Sequence, residues 1–241
     1  MLDPQPAIEI LGVKLLEPVT TITDLVVSAI CFYAFYKLAK IENRNKMHLY
    51  LKIYFFSMGV ATAVGGLVGH GFLYVFSDTY MIGVSPWKLP GWLTSMMSVA
   101  MVERASIEYI RKLVKPRLGR FFAWLNIIEL LTFMTIAFTT LNFFFVEVHT
   151  AYGLLVVVAS LNIYIYRKTK NPASKTFLIA VGFSAIGALF FMNEWGYSKW
   201  FNHFDISHCF LAISAYFFYK GAMKAIYDPL SDYTSITLNS V

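Results

Sequence analysis

The sequence predicts an all-α membrane protein, a bundle of seven transmembrane helices with the N-terminus outside and the C-terminus inside. Three observations carry this. Hydrophobic residues make up 58% of the 241 residues and charged ones only 14%, with a mean hydropathy of +0.59. A water-soluble domain carries roughly 25% charge, so there is too little polar surface here to coat one. Next, seven segments reach the about 20 mostly apolar residues that cross a hydrocarbon core. They are 20–38, 50–76, 91–110, 121–141, 148–166, 177–195 and 203–221. Finally, the basic residues are asymmetric along the chain, and lysine and arginine concentrate on the cytoplasmic side of membrane proteins.

Taken in order, residues 1–19 contain no basic run and no small-residue cleavage site, so the first segment reads as a retained helix rather than a signal peptide. Lys37, Lys40, Arg44, Lys46 and Lys52 flank the connection to the second segment. Small residues at Gly59, Ala61, Ala63, Gly65, Gly66 and Gly69 let that second helix approach its neighbours closely. Arg111, Lys112, Lys115, Arg117 and Arg120 follow the third segment, Arg167, Lys168, Lys170 and Lys175 the fifth, and Lys220 and Lys224 the seventh. Only Lys14, Lys88 and Lys199 fall on the other side, which sets the orientation. Trp87, Trp92, Trp195 and Trp200 lie at the outer boundary and Trp124 near the inner one, where aromatic belts sit. The expected organisation is an extracytoplasmic segment 1–19, one transmembrane domain 20–221 and a cytoplasmic tail 222–241, polar and mobile from Ser231 on. The protein is therefore expected in a plasma or bacterial inner membrane.

Several function classes drop out. Cys31 and Cys209 both lie in apolar runs, which excludes a disulfide framework and a CxxC metal site. The net charge of +6 does not imply nucleic-acid binding, because the basic residues occupy short loops between apolar segments. Neither a phosphate-cradling glycine loop nor a serine-hydrolase motif is present. Retinal is disfavoured because the last segment has no mid-membrane lysine. Met96, Met97 and Met101 share a helix face and read as core.

Ionisable residues within membrane segments ask for a reason. With alternating helix direction, His70, His149, His203 and His208 fall in one outer layer, leaving His48 alone on the cytoplasmic side. Asp24, Asp78, Glu194 and Asp205 share that layer. Imidazole and carboxylate at one depth, drawn from the first, second and seventh helices, suit a Zn²⁺ ion with an open position for water. His70, His203 and His208 are the candidate ligands; Asp205, Asp24 or Asp78 is the candidate proton acceptor. Asp205 and His208 are three apart and share a helix face. A deeper layer holds Glu103, Arg104 and Glu129, in which an Arg104–Glu129 ion pair is expected and a proton relay is the alternative.

The pattern resembles the alkaline ceramidase branch of the seven-helix membrane hydrolases, a superfamily that includes adiponectin-receptor-like proteins. Gly65-Gly66-Leu67-Val68-Gly69-His70-Gly71-Phe72-Leu73 is similar to the second-helix histidine motif, with Gly66 where that family has serine. His203-Phe204-Asp205-Ile206-Ser207-His208 is similar to the seventh-helix HxxxH motif, with Phe204 at the first histidine position. Glu17-Pro18 before Thr23-Asp24, together with Asn202-His203, Asp205 and His208, also resembles a bacterial branch of membrane proteins. The resemblance implies a zinc-dependent hydrolase that cleaves an amide or ester bond of a lipid with activated water. The alternative is a transporter, channel or receptor whose outer His/Asp cluster binds a ligand or relays protons. Haem held by two histidines is a third option. The expected partners are the bilayer and a lipid substrate or ligand.

Overall fold

A two-residue turn with both residues in the left-handed region, Leu11 (φ 54) and Gly12 (φ 78), closes a hairpin that pairs β1 (Ala7–Ile10) with β2 (Val13–Leu16). Such turns match the twist of paired strands, and glycine adopts the geometry without strain. The computed structural model describes residues 6–42, 45–78, 85–227 and 230. The hairpin is an addition to the expected all-helical architecture. Arg44 and the polar tail 231–241 lie outside the described residues.

Seven long helices follow: α1 (Pro18–Ala39), α2 (Lys46–Gly71), α3 (Leu89–Ile110), α4 (Pro116–Thr140), α5 (Phe144–Thr169), α6 (Pro172–Met192) and α7 (His203–Tyr227). Proline stands in the first turn of α1, α3, α4 and α6, where its missing N–H goes unused. The first six helices begin a few residues before the predicted segments, while α7 begins at the predicted His203 and runs past Gly221 to Tyr227. Five of them, α1, α2, α4, α5 and α6, are long and apolar enough to cross a membrane. The other two carry more charge: Glu103, Arg104 and Glu108 in α3, and Asp205, Lys220 and Lys224 in α7.

The helices α1, α2, α3, α5, α6 and α7 form a closed ring in that order, since each packs against the next and α7 returns to α1. Helix α4 lies outside the ring, against α3 and α5. Its free face exposes Phe121, Trp124, Ile128, Leu131 and Phe138, while Gly119, Ala123, Asn126, Glu129 and Ala137 are buried. Large apolar groups outside with small and polar ones inside invert the pattern of a water-soluble helix. That surface is built for lipid, and the protein is an α-helical integral membrane protein.

Short polar contacts join the helices. Ser28 donates to Gly59 O (2.8 Å), Ser98 to Tyr54 O (2.9 Å) and Ser214 to Ala180 O (2.9 Å), the kind of hydroxyl-to-backbone link that suits close helix packing in lipid. His48, fully buried, shares a 2.9 Å hydrogen bond with Leu38 O and so ties the end of α1 to the start of α2.

Candidate functional site

The last part of α2, Gly65–Gly71, is a π-helix. Such segments are rare and often occur at functional sites because they re-aim side chains. Glycine allows this one to sit hard against α1. A Cβ on Gly66 would lie 2.9 Å from Asp24 Cβ and 3.1 Å from Thr21 O, and one on Gly71 2.8 Å from Leu15 Cδ1. Thr21 also donates to Gly66 O (3.2 Å). The π-helix thereby brings His70 to the hairpin end of the bundle, beside the start of α1 and α7.

His70 Nδ1 lies 2.5 Å from Glu17 Oε2. Glu17 is the residue before α1, in the left-handed region at φ 41, and the hairpin holds it there through a 2.8 Å bond from its N–H to Pro6 O. Burial pushes the Glu17 carboxyl up, but its hydrogen bond and attraction to His70, aided by Lys88, outweigh this and hold it below the usual value. An ionised Glu17 can only accept, so His70 Nδ1–H donates and Nε2 is left for another partner.

His208 is held from both sides: Nδ1 lies 3.1 Å from Thr23 Oγ1, which also reaches Thr20 O (3.0 Å), and Nε2 lies 3.5 Å from Asp24 Oδ1. The rings of His70 and His208 are 6.5 Å apart, centroid to centroid, and steeply inclined at 75°. Both side chains keep partial access, 15% for His70 and 13% for His208.

Asp205 has a different occupation. It is fully buried, accepts from Thr20 Oγ1 (2.7 Å) and reaches back to the Asn202 N–H (2.6 Å). Asn202 in turn accepts from the Phe204 N–H (2.8 Å). This is a reciprocal capping box at the start of α7, strapped to α1 through Thr20. Both Asp205 oxygens are engaged in holding the start of α7.

The remaining expected site residues stay outside the hydrogen-bonded cluster, although His203 lies close enough to Glu17 to act on its charge. His203 stacks beside Phe204 (4.4 Å) and Phe191 (5.7 Å), and Phe204 occupies the side of His70 (5.5 Å) where a further histidine was expected. Asp78 is exposed in the turn beyond the short helix Leu73–Phe76, and Glu194 is exposed just after α6 at φ 53. Neither has a hydrogen bond or ion pair to the cluster among the described residues.

His149 leaves the outer layer altogether and joins Glu103 and Glu129. Among the described residues, one set of His, Cys, Asp and Glu places three ligand atoms within 4.8 Å of one another, and it is Glu103, Glu129 and His149. The expected Arg104–Glu129 pair does not form. Arg104 donates instead to Ala123 O and lies 5.9 Å from the Tyr50 ring, while Glu129 Oε1 meets His149 Nδ1 at 2.5 Å.

The fold and this geometry define a class: an α-helical integral membrane protein with a histidine–carboxylate cluster at one end of its bundle. The chain belongs to a family of unknown function, DUF6962, which matches residues 19–227. No curated protein and no solved structure matches the chain.

Proposed function

We propose that the protein is a zinc-dependent membrane hydrolase acting on an amide or ester bond of a lipid. His208 through Nε2 and Asp24 through Oδ1 would hold the ion; His70 would join them only by moving closer, since the ligand atoms of these three residues do not all come within 4.8 Å of one another. One observation carries this reading: His208 Nε2 faces Asp24 Oδ1 across 3.5 Å, with Thr23 at the other ring nitrogen. Two ligands of one tetrahedral ion, each about 2.0–2.2 Å from it, lie at about that separation. A direct hydrogen bond would be shorter, about 2.7–2.9 Å for a charged pair. Glu17 and Thr23 hold the far nitrogens of the two imidazoles, as partners of metal-binding histidines do.

Two histidines and one carboxylate leave a coordination position open, the composition of catalytic rather than structural zinc sites. When bound, zinc supplies Lewis-acid polarisation of the scissile carbonyl and makes water acidic enough to attack near neutral pH. Asp24, through its second carboxylate oxygen, would accept the proton of the attacking water. Glu17 keeps His70 oriented, and the Asp205 capping box keeps α7, with His208, in register against α1. The resemblance to alkaline ceramidases supports the same chemistry with a changed ligand set, in which Asp24 fills the space over Gly66.

The reading includes seven spanning helices with the hairpin outside the membrane and the end of α7 in the cytoplasm, as the basic loops favour. The lipid-facing surface of α4 and the partial access to His70 and His208 support a substrate that arrives from the bilayer.

The test measures zinc content and hydrolysis of fluorogenic long-chain amides and esters by the detergent-purified chain. The expected result is that His208→Ala and Asp24→Asn each lose one equivalent of zinc relative to the wild type, together with the activity, while remaining folded. Hydrolysis that persists in the chelated wild type, or a zinc content equal to the wild type's in both variants, overturns the proposal. A folded, metal-free protein that takes up a solute or protons in liposomes would favour a transporter instead.

A further inference from the structure

The second polar cluster is built for an occupant of its own. Glu103 from α3, Glu129 from α4 and His149 from α5 converge where all three side chains are more than nine-tenths buried. His149 Nε2 lies 2.9 Å from Met96 O. A carbonyl can only accept, so Nε2 carries a proton and Nδ1 is the nitrogen turned toward the carboxylates. An imidazole oriented through its far N–H by a backbone carbonyl is the usual posture of a metal-binding histidine.

The carboxylates are incompletely satisfied. Asn126 donates to Glu103 Oε2 (3.3 Å) and Ala100 O (3.2 Å). Glu103 Oε1 and Glu129 Oε2 are buried with no hydrogen-bond partner. A buried carboxylate oxygen without a partner is strongly unfavourable. Arg104, next to Glu103 in sequence, donates to Ala123 O instead, and among the described residues neither carboxylate has a lysine or arginine partner. Two carboxylates thus face one imidazole, and a proton on that imidazole balances only one of them.

The backbone makes room for this. A Cβ on Gly153, within the π-helical stretch Tyr152–Val158 of α5, would fall inside contact distance of Glu103 Oε1 and 2.6 Å from Val99 Cγ1.

We propose that Glu103, Glu129 and His149 form a second metal site, holding one divalent first-row cation that pins the outlying helix α4 to the ring. A doubly charged ion would replace the proton that His149 Nδ1 and Glu129 Oε1, 2.5 Å apart, share in its absence; it balances both carboxylates with a neutral imidazole and supplies the partner that each free oxygen lacks. Two oxygens and one nitrogen suit Zn²⁺ or Mn²⁺. Ca²⁺ requires six to eight oxygen ligands, more than these three side chains offer. The complete burial of Glu103 and His149 makes this ion resident, in contrast to the accessible one at the hairpin end. The proposal stands independently of the hydrolase reading.

The experiment separates the two sites. The full chain carrying His70→Ala and His208→Ala, which removes both histidines of the hairpin end, is purified in detergent, dialysed against Zn²⁺ or Mn²⁺ and then against metal-free buffer. One equivalent per chain is expected by elemental analysis. Adding Glu103→Gln and Glu129→Gln, which preserve side-chain shape, should abolish it while helical circular dichroism stays unchanged. If the quadruple variant fails to fold, Mn²⁺ electron paramagnetic resonance of the double variant and of its His149→Ala derivative supplies the same comparison, with loss of the bound signal expected. No retained metal in the folded double variant overturns the proposal, as does metal that survives the glutamine changes. An infrared band of a protonated carboxylic acid that vanishes in Glu129→Gln, with no metal bound, assigns the cluster to proton storage and likewise overturns it.

Discussion

The two polar clusters use the same residue types at different spacings. At the hairpin end, His208 and Asp24 stand 3.5 Å apart, while in the deeper cluster His149 and Glu129 touch at 2.5 Å. Side chains orient the first pair of imidazoles, through Glu17 and Thr23, whereas a backbone carbonyl orients His149. His70 and His208 can be reached from outside, whereas His149 and Glu103 are sealed. Accessibility with an open ligand position favours turnover. Burial between three helices favours a lasting structural role, because anything held there is held by the fold.

The largest expected effect tests that division directly. His208→Ala should reduce kcat/KM by more than the roughly 10–100-fold that follows loss of a ligand-orienting partner, and should leave the melting temperature little changed. Glu103→Gln with Glu129→Gln should do the reverse, lowering the melting temperature while the activity per folded molecule is retained. Assays of rate and thermal unfolding on the same preparations decide it. Equal losses in both variants would mean that the clusters act as one unit.

A smaller effect is expected from the groups that orient the histidines. Thr23→Val keeps shape but cannot hydrogen-bond His208 Nδ1, and Glu17→Gln removes the charge opposite His70. Each should weaken zinc affinity by about 10–100-fold, read by competition with a chelator of known affinity. Affinity unchanged in both variants would detach these residues from the site.

The glycines at each cluster offer a third comparison. Gly66→Ala forces a methyl against Asp24 and Thr21 O, and Gly153→Ala forces one against Glu103 and Val99. Overpacking of this kind destabilises by about 1–3 kcal/mol. Gly66→Ala should lower activity as well, since Asp24 must move, whereas Gly153→Ala should release the inner ion. Chemical denaturation together with metal analysis distinguishes the outcomes.

How far the sequence discloses all this differs between fold and site. Helix positions are legible because about 20 apolar residues are a demanding signal, and a membrane leaves few alternatives to a helix. His70, His208, Asp24 and the deeper Glu103, Glu129 and His149 stand out for the same reason: ionisable groups in apolar runs are conspicuous. Their partnerships are not legible. Depth along a helix follows from counting residues, but the direction a side chain faces depends on helix rotation and on which helices adjoin. The π-helix at Gly65–Gly71 changes that rotation just before His70, and glycine spacing alone reads as close packing. Placing α4 outside the ring, against α3 and α5, joins Glu129 to His149 rather than to Arg104. Glu17 was visible as Glu-Pro ahead of a helix, yet only the hairpin, which pins its backbone to Pro6, turns it toward His70.

The smallest expected effect falls on Asp205, and it separates a residue that looks reactive from one that positions. A buried aspartate three residues before His208 invites a role in proton transfer, but its oxygens are taken by Thr20 and by the Asn202 N–H. Asp205→Asn keeps one carbonyl oxygen to accept from either partner and places an amide donor against the other. It should therefore lose a cap or an interhelical bond worth roughly 1–2 kcal/mol, with zinc content unchanged. Lower activity should appear as an altered KM or thermal range rather than as a lost chemical step. A proton acceptor would behave differently: kcat would collapse at full zinc occupancy and full stability. Thr20→Val completes the comparison, since it removes the strap to α1 while leaving the Asp205 carboxylate in place. If Thr20→Val and Asp205→Asn destabilise alike and both retain zinc, Asp205 acts by holding α7 in register, and the chemistry rests with Asp24 and the two histidines.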